Sequence, residues 1–551
     1  MCRKEVPMRF LKLRSDKRWC VTVAILIGLT AIMALGPFSS QALAAPKDIV
    51  TMGMWSSPGN SMLPHFYHLG YARAIYRLVF DSLLEWDEKS NIVPKMAESY
   101  EISKDGKTYR LKIRKDAYWH DGKPVISKDV EFTIKCLSDP DYSFMDFNLV
   151  AGIAGAKARK EGKTPELAGF KIIDDKTFEV STEGVFAPML DSFTELHIIP
   201  YHILKDTPVK ELVNSPFAAN PTVGCGPYKF TKYATDQYIE FSRFDRYYLG
   251  KPKIERVFIR IVSPDTAIAQ LERGELDLVL GQGLGDIPNI EIDRLKRVPS
   301  LDVQTATGPF TQGLMLVCSQ EKTKDLRVRK AIAHAIDTPG IVNKILMGGG
   351  VVTAIPRAAG YPFYNHKLKP YEYSPDKARR LLSEVNWNKE APFRLVVPTG
   401  NKERTQWATV AQQNLIEIGI KAELRQMDIA TMIKVLSKSP EEIDAFFVGF
   451  INYMDPYMYF QRRFHTEGIP AGNLMYYSNP EMDKLIDASA TTIQKEERAK
   501  LFDRIQEILY DELPVVPLAC PTSTIAVNKR VKGVRHSILH LTRNIYEWEI
   551  Q

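Results

Sequence analysis

One loop in the C-terminal third of the sequence concentrates side chains that could hold a small molecule. It spans residues 449–456, reads GFINYMDP, and contains Phe450, Asn452, Tyr453 and Asp455. Aromatic faces can stack on a sugar or an aromatic solute, while amide and carboxylate groups fix polar partners. The alternative is ordinary interior packing of an aromatic helix, because the next segment is rich in aromatic and basic residues: Tyr457, Tyr459, Phe460, Arg462, Arg463 and Phe464.

Two more segments hold candidate binding residues, and the first of them follows a predicted strand, where such side chains often collect. Residues 401–407 read NKERTQW and supply Arg404 and Trp407. Arg404 could meet a carboxylate, although an exposed arginine at the start of a helix is the alternative. Residues 308–312 read GPFTQ and supply Phe310.

A further loop, residues 56–68, follows the first predicted strand after the N-terminal leader. Asn60, His65 and Tyr67 are its candidate binding residues. His65 and His68 are three residues apart, but two histidines without clustered cysteines or carboxylates make a poor metal site. We therefore predict no metal and no cofactor.

Motifs of common enzymes are missing from the sequence. There is no GxSxG, HExxH or P-loop motif. Residues 281–286, GQGLGD, resemble GxGxxG, but Asp286 stands where the third glycine belongs, so a turn is the better interpretation. We predict no catalytic residue, and a hydrolase built from scattered residues is kept as the remote alternative.

Four cysteines lie beyond the leader: Cys136, Cys225, Cys318 and Cys520. They could pair in three ways, but their separations are wide and no CxxC spacing occurs. Buried free thiols and disulfides both stay open.

The elements that must position these residues alternate between two periods. Residues 109–114, YRLKIR, alternate apolar and charged residues, as a half-buried strand does. Ser374-Pro375 and Asn479-Pro480 each predict a helix start, with proline at the first helical position. Short apolar strands at 393–397 and 445–449 lie between such helices, so we predict an α/β fold.

The N-terminus has the layout of a cleaved secretory signal. Residues 1–19 hold seven basic side chains against two acidic ones, an apolar run covers residues 20–35, and Ala42-Leu43-Ala44 precedes Ala45-Pro46. We predict a signal peptide at residues 1–44 and a periplasmic location, since the apolar run is shorter than a bilayer span.

Removal of this leader takes five net positive charges from the chain's +7 and leaves about +2. A nearly neutral protein has no polycationic face for DNA or RNA, so no nucleic-acid partner is expected. About 507 residues remain, which is too many for one core and predicts at least two lobes.

Motifs spread along the chain resemble the extracellular solute-binding proteins of the oligopeptide, dipeptide and nickel type, the substrate-binding subunits of ABC importers. Residues 78–137 carry DSLLEWD, PKMAESYEISKDGKTY and WHDGKP in the family's order. GCGPYKF at 224–230, RGELDLV at 273–279, DLRVRKAIAHAIDTPGIVNKILMGG at 325–349 and NPEMDKLIDAS at 479–489 follow. Cys225 stands where we expect threonine in relatives.

This resemblance implies a large, two-lobed periplasmic binding protein with two hinge strands. Lobe I would comprise residues 45–262, including a subdomain at about 84–205, and lobe II residues 263–520. Residues 521–551 would return to lobe I, with crossings near 259–264 and 518–522. The candidate loops would face the cleft between the lobes, which would close around a ligand.

In dipeptide-binding relatives, an aspartate in the loop after the strand matching 445–449 pairs with the peptide's α-amino group. That aspartate is missing here, since Asp455 belongs to the widespread Asp-Pro of this loop. Short peptides are still the predicted ligand; the alternatives are an oligosaccharide, an opine-like or aromatic acid, or a metal complex. The other partner implied is an ABC permease of the inner membrane, and a monomer is expected.

Overall fold

A computed structural model describes residues 48–67, 71–280, 287–399 and 401–551. The predicted signal peptide, His68 and the GQGLGD segment lie outside these residues. In the described ranges, no helix combines the length and apolar character needed to cross a bilayer.

The first half of the chain forms two larger sheets and a separate pair of strands. Its strands are β1 Ile49–Met54, β2 Leu84–Trp86, β3 Ile92–Pro94, β4 Ala97–Ile102, β5 Thr108–Ile113, β6 Phe170–Ile172, β7 Thr177–Ser181, β8 Tyr228–Ala234, β9 Tyr238–Arg243, β10 Arg256–Ile261 and β11 Leu278–Val279. Its helices are α1 Tyr71–Val79, α2 Ser127–Leu137, α3 Ala156–Lys160, α4 Met189–Glu195, α5 Tyr201–Leu204, α6 Val209–Leu212, α7 Pro216–Ala219, α8 Pro264–Glu272 and α9 Asn289–Leu295, with a 3-10 turn at Met145–Leu149.

One of these sheets has five strands in the order β11-β1-β10-β9-β8, and the other has four in the order β4-β5-β7-β6. β2 and β3 form a separate pair. One continuous apolar core joins Val50 of the first sheet to Tyr109 and Phe178 of the second. The four-stranded sheet therefore belongs to the same lobe as the five-stranded one.

The second half supplies β12 Leu301–Thr307, β13 Phe310–Leu316, β14 Gly350–Val352, β15 Phe393–Pro398, β16 Ala422–Met427, β17 Ala445–Ile451, β18 Val515–Asn528, β19 Val531–Lys532 and β20 Glu549–Ile550. Its helices are α10 Leu326–Ala335, α11 Thr338–Gly340, α12 Pro375–Glu384, α13 Lys402–Glu417, α14 Ile429–Lys438, α15 Tyr457–Phe464, α16 Pro480–Thr491 and α17 Lys495–Glu512. A π-helical turn at Ile341–Ile345 and 3-10 turns at Pro440–Glu442, Thr466–Gly468 and Leu541–Glu547 complete it.

Seven of these strands form a sheet in the order β12-β18-β13-β17-β15-β16, with β14 also paired to β18, and β19 pairs separately with β20. Helices cover both of its faces, because successive strand residues point to opposite sides. Leu314 and Leu316 enter the core under α10, α12 and α13. Met315 and Val317 enter the core under α14, α15, α16 and α17.

Strand β18 runs through both lobes. Ala519 pairs with Gln312 and belongs to a core of the second lobe. Further along, Ile525 pairs with Gln304 of β12 and belongs to the core of the first lobe. The segment between these two points overlaps the predicted return near 518–522, which stays a proposal.

The predicted first crossing at 259–264 lies within the first lobe. β10 is an inner strand there, and β11 pairs with β1 through Met52 and Leu278. Helix α8 packs in a small core that includes Trp55 and Val262. Residues 263–279 thus return to the first sheet, and we propose that the chain crosses later, at about 307–310.

Local signals in the sequence match the local structure. Asp105-Gly106 turns the β4–β5 hairpin with Gly106 at φ +71°. Asn479 caps α16 by accepting from the Glu481 and Met482 amides. Ser374 precedes α12 as predicted, and the Asp337 side chain caps α11 by accepting from the Gly340 amide.

The four cysteines beyond the leader are unpaired, and Cys136, Cys225 and Cys520 are buried. Their spacing left both disulfides and free thiols open, and the structure has free thiols. Cys225 Sγ accepts from the Asp81 amide at 3.4 Å, so this residue has a place in the packing of the first lobe.

Candidate ligand-binding site

A cavity of about 610 Å³ lies between the two lobes. The first lobe contributes side chains of α1, α4 and the Met145–Leu149 turn, and the second contributes the loop after β17 together with α15. Residues 536–543, near the C-terminus, complete its wall. A cavity of this size can enclose a small solute.

Aromatic side chains give the cavity flat apolar walls. Tyr67 and Tyr76 lie on the first-lobe side, with ring centroids 5.6 Å apart. Phe310, Phe450 and Tyr453 lie on the second-lobe side. Such surfaces suit apolar or aromatic parts of a solute.

Arginines from both lobes reach one end of the cavity. On the first lobe, Arg73 and Arg77 each donate to Glu195 Oε2, at 2.8 and 2.9 Å. Burial opposes the ionisation of Glu195, yet these two arginines hold its pKa below the usual value. One carboxylate is therefore shared by two guanidinium groups.

On the second lobe, Arg462 and Arg463 of α15 line the same end. Arg463 Nη1 donates to the Gly472 carbonyl at 3.3 Å, and burial together with Arg462 lowers its pKa. Tyr453 lies within electrostatic reach of Arg73 from one lobe and of both second-lobe arginines. This end of the cavity can therefore accept an anionic group.

Carboxylates line another part of the wall. Lys95 approaches Glu85 at 4.0 Å but makes its shorter ion pair, 2.8 Å, with the buried Asp81. Burial raises the pKa of Glu85. Asp191 of α4 accepts the indole N–H of Trp86 at 2.7 Å, so the cavity has groups of both signs.

Five of the ten predicted site residues line this cavity: Tyr67, Phe310, Phe450, Asn452 and Tyr453. Tyr453 is 38% exposed, while Phe450 is 1% exposed and packs in the second-lobe core. The alternative of interior packing therefore holds for much of the aromatic segment, including Phe460 and Phe464. Contact of the five cavity-lining residues with a ligand remains a prediction.

Asn60 and His65 do not line the cavity in this structure. Asn60 is exposed. His65 is buried, with Nδ1 2.8 Å from Asp146 Oδ2 and Nε2 3.0 Å from the His197 carbonyl. Since Asp146 does line the cavity, His65 supports the wall from behind.

Arg404, Trp407 and Asp455 also lie away from the cavity wall. Arg404 Nε donates to Gln312 Oε1 at 3.1 Å, and Trp407 is 1% exposed in a second-lobe core. Asp455 forms a buried ion pair with Arg498. A direct ligand role for these three would require a different arrangement from the one described.

Sequence reasoning missed the charged groups on α1 and α4. Arg73 and Arg77 are four residues apart, as are Asp191 and Glu195, so each pair lies on one helix face. That spacing was a usable signal. In the described ranges, no group of three or more His, Cys, Asp or Glu side chains is placed to hold a metal.

Comparisons with known proteins agree with this architecture. Residues 91–470 match the family described as "Bacterial extracellular solute-binding proteins, family 5 Middle". The oligopeptide-binding protein AppA of Bacillus subtilis (strain 168) is 26% identical over 493 residues, covering 86% of this chain and 86% of AppA. Heme-binding protein A of Haemophilus influenzae is 27% identical over 473 residues, covering 83% and 84% of the two chains.

Among solved structures, NikZ from Campylobacter jejuni in complex with Ni(L-His) has a TM-score of 0.75 and 25% identity, covering 92% of this chain and 100% of NikZ. The predicted two-lobed α/β fold and the family resemblance are both confirmed. Because the family match extends over more than half of the sequence, the chain belongs to the bacterial extracellular solute-binding proteins of family 5, the non-enzymatic subunits that deliver peptides or small molecules to ABC permeases.

Proposed function

We propose that this protein captures short peptides in the periplasm and delivers them to a permease of the inner membrane. The signal peptide predicted at residues 1–44 would release the rest of the chain as a soluble monomer. The observation that carries the proposal is the cavity of about 610 Å³ with walls from both lobes. A solute held there touches both walls only when the lobes are together.

Closure of the lobes would be the signal that the permease reads. A ligand shifts a conformational equilibrium by its difference in affinity for the two states. A micromolar ligand supplies about 8 kcal/mol of binding free energy, which is ample to bias a hinge equilibrium of a few kcal/mol. Bond making and breaking in the solute are not needed.

The charges and aromatic walls support a peptide as the solute. Arg73 from one lobe and Arg463 from the other can hold a terminal carboxylate, because guanidinium groups match carboxylate geometry. Tyr67 and Tyr453 can cover side chains of differing shape. A relative named for oligopeptide binding, AppA of Bacillus subtilis, supports the same class.

Purified chain beginning at Ala45 should carry a mixture of short peptides, detectable by native mass spectrometry. After these are removed by unfolding and refolding, pools of free tripeptides should raise its melting temperature. Recovery of the peptides chemically intact separates transport from hydrolysis. Peptide pools that give no shift would contradict the proposal.

A non-peptide acid is the second candidate, because the same arginines would hold any carboxylate. An opine-like or aromatic acid fits the aromatic walls. Relatives named for heme and for Ni(L-His) show that the family is not confined to peptides. A rise in melting temperature with one such acid, and no rise with peptide pools, would favour this candidate.

A further inference from the structure

Asp191 differs from the other carboxylates of the cavity. Glu195 is bound by two arginines, Asp146 by His65, and Glu85 lies near Lys95. Within the described part of the chain, no lysine, arginine or histidine forms an ion pair with Asp191. Its Oδ1 accepts a hydrogen bond from the Trp86 indole, at 2.7 Å.

The surroundings of Asp191 make a lone negative charge unfavourable. Burial, and then the charge of Asp455 from the opposite lobe, raise its pKa well above the usual range. Asp455 is itself paired with Arg498, so that arginine is already engaged. A carboxyl group enclosed in this way gains from a positive partner that enters with the solute.

We propose that Asp191 is the anchor for a cationic group of the bound solute, which for a peptide is its N-terminal ammonium. The assignment rests on the proposed function, and it places the anchor on the first lobe. An ammonium brings three N–H donors. The Trp86 indole uses only one lone pair of the carboxylate, so other lone pairs are left for the ammonium. The bond is charge-assisted and shielded from water, which makes it strong.

The position of Asp191 on α4 also orients the solute. Glu195 lies four residues further along the helix, or about 6 Å along its axis, and binds Arg73 and Arg77. An ammonium at Asp191 therefore directs the rest of the solute toward the arginine end. A free peptide fits this order, with its N-terminal ammonium at Asp191 and its C-terminal carboxylate toward the arginines.

The matched variant is Asp191→Asn, because the asparagine carbonyl can still accept from Trp86. The ligands are a pool of free tripeptides and the same pool acetylated at the N-terminus, with binding measured by titration calorimetry. In the wild type, acetylation should weaken binding about 10- to 100-fold, as expected for loss of a hydrogen bond to a charged group. Asp191→Asn should weaken binding of the free pool by a similar factor and leave the acetylated pool unchanged.

Asp293→Asn is the control, because Asp293 is 86% exposed on α9. This variant should bind both peptide pools as the wild type does. Trp86→Phe tests whether Asp191 acts only by positioning the indole. If it does, Trp86→Phe and Asp191→Asn should each weaken binding of the free and the acetylated pool by the same factor. Equal binding of free and acetylated pools by the wild type would overturn the anchor.

Failure of the proposed function looks different, because neither pool would then bind. In that case the solute recovered by native mass spectrometry is titrated into the wild type and Asp191→Asn. A cationic solute bound 10-fold or more weakly by Asp191→Asn would sustain the anchor. A solute without a positive group, or one bound equally by both proteins, would overturn it.

Discussion

Replacing Asp455 with asparagine should destabilise the protein, although the sequence places this residue in the candidate binding loop. Arg498 Nη2 donates to Asp455 Oδ1 at 2.9 Å, and Nη1 donates to Oδ2. The Tyr457 amide also donates to Oδ1, at 2.9 Å. Asparagine keeps the shape of the side chain but leaves the guanidinium without its negative partner.

The magnitude follows from the burial of the pair. The side chains of Arg498 and Asp455 are 6% and 5% exposed, so water cannot take the place of the lost charge. Removing one partner of a buried ion pair costs about 3–5 kcal/mol. For a cooperative unit of about 500 residues, this loss lowers the melting temperature by about 3–5 °C.

Differential scanning calorimetry of the ligand-free chain checks this expectation. Asp293→Asn, at an exposed position, should change the melting temperature by less than about 1 °C, since exposed ion pairs contribute about 0–1 kcal/mol. The reasoning is refuted if Asp455→Asn melts like the wild type. Unchanged melting together with lost peptide binding would return Asp455 to the ligand site.

Three further predictions concern pH, the arginine end and backbone packing. The Gly224 amide donates to His120 Nδ1, and burial lowers the pKa of His120 from 6.5 to about 3. Below pH 6.5 the folded state therefore binds fewer protons than the unfolded state, so the wild type should lose about 2–3 kcal/mol of stability between pH 6.5 and 4.5. His120→Asn should not show this loss when both proteins are measured by denaturant unfolding. Arg463→Gln should weaken calorimetric binding of free tripeptides about 10-fold and leave C-amidated tripeptides unaffected; equal losses for both would exclude a carboxylate contact. Gly224→Ala should destabilise the first lobe by about 1–3 kcal/mol in the same unfolding assay, because a Cβ there would lie 1.9 Å from the Val79 carbonyl oxygen; an unchanged unfolding midpoint would contradict it.

Local patterns in the sequence predicted much of the fold because they depend on neighbouring residues. The helix starts at Ser374-Pro375 and Asn479-Pro480 need only a few adjacent positions. The Phe393–Pro398 and Ala445–Ile451 strands follow from short apolar runs. Family motifs then supplied the two-lobed arrangement that local patterns cannot give.

The candidate site was predicted less completely, because it depends on long-range pairing. Nothing near Asp455 in the sequence indicates Arg498, which is 43 residues away. Trp407 belongs to the candidate binding segment 401–407, yet it begins a buried stripe with Ala408, Ala411 and Leu415 on α13. That helical spacing indicates a core residue, and it was the better signal.

The strand that runs through both lobes also could not be recognised from its composition. Val515–Asn528 is a single continuous strand, and the change of core between Ala519 and Ile525 depends on which strands pair with it. For the same reason, no local pattern distinguishes the crossing predicted at 259–264 from the one we propose at about 307–310. β11 rejoins β1 through a pairing that no local pattern reveals.

The four unpaired thiols have a practical consequence for protein labelling. Burial raises the pKa of Cys318 to about 11 and of Cys520 to about 12, and it also raises those of Cys136 and Cys225. Thiolates are the species that react with maleimides, so these sulfurs are nearly inert at neutral pH. In a chain that begins at Ala45, a cysteine introduced at the exposed rim position Asn148 would therefore react with a fluorescent maleimide much faster than these four thiols. Such a chain could become an optical sensor for its own solute without removal of its native cysteines.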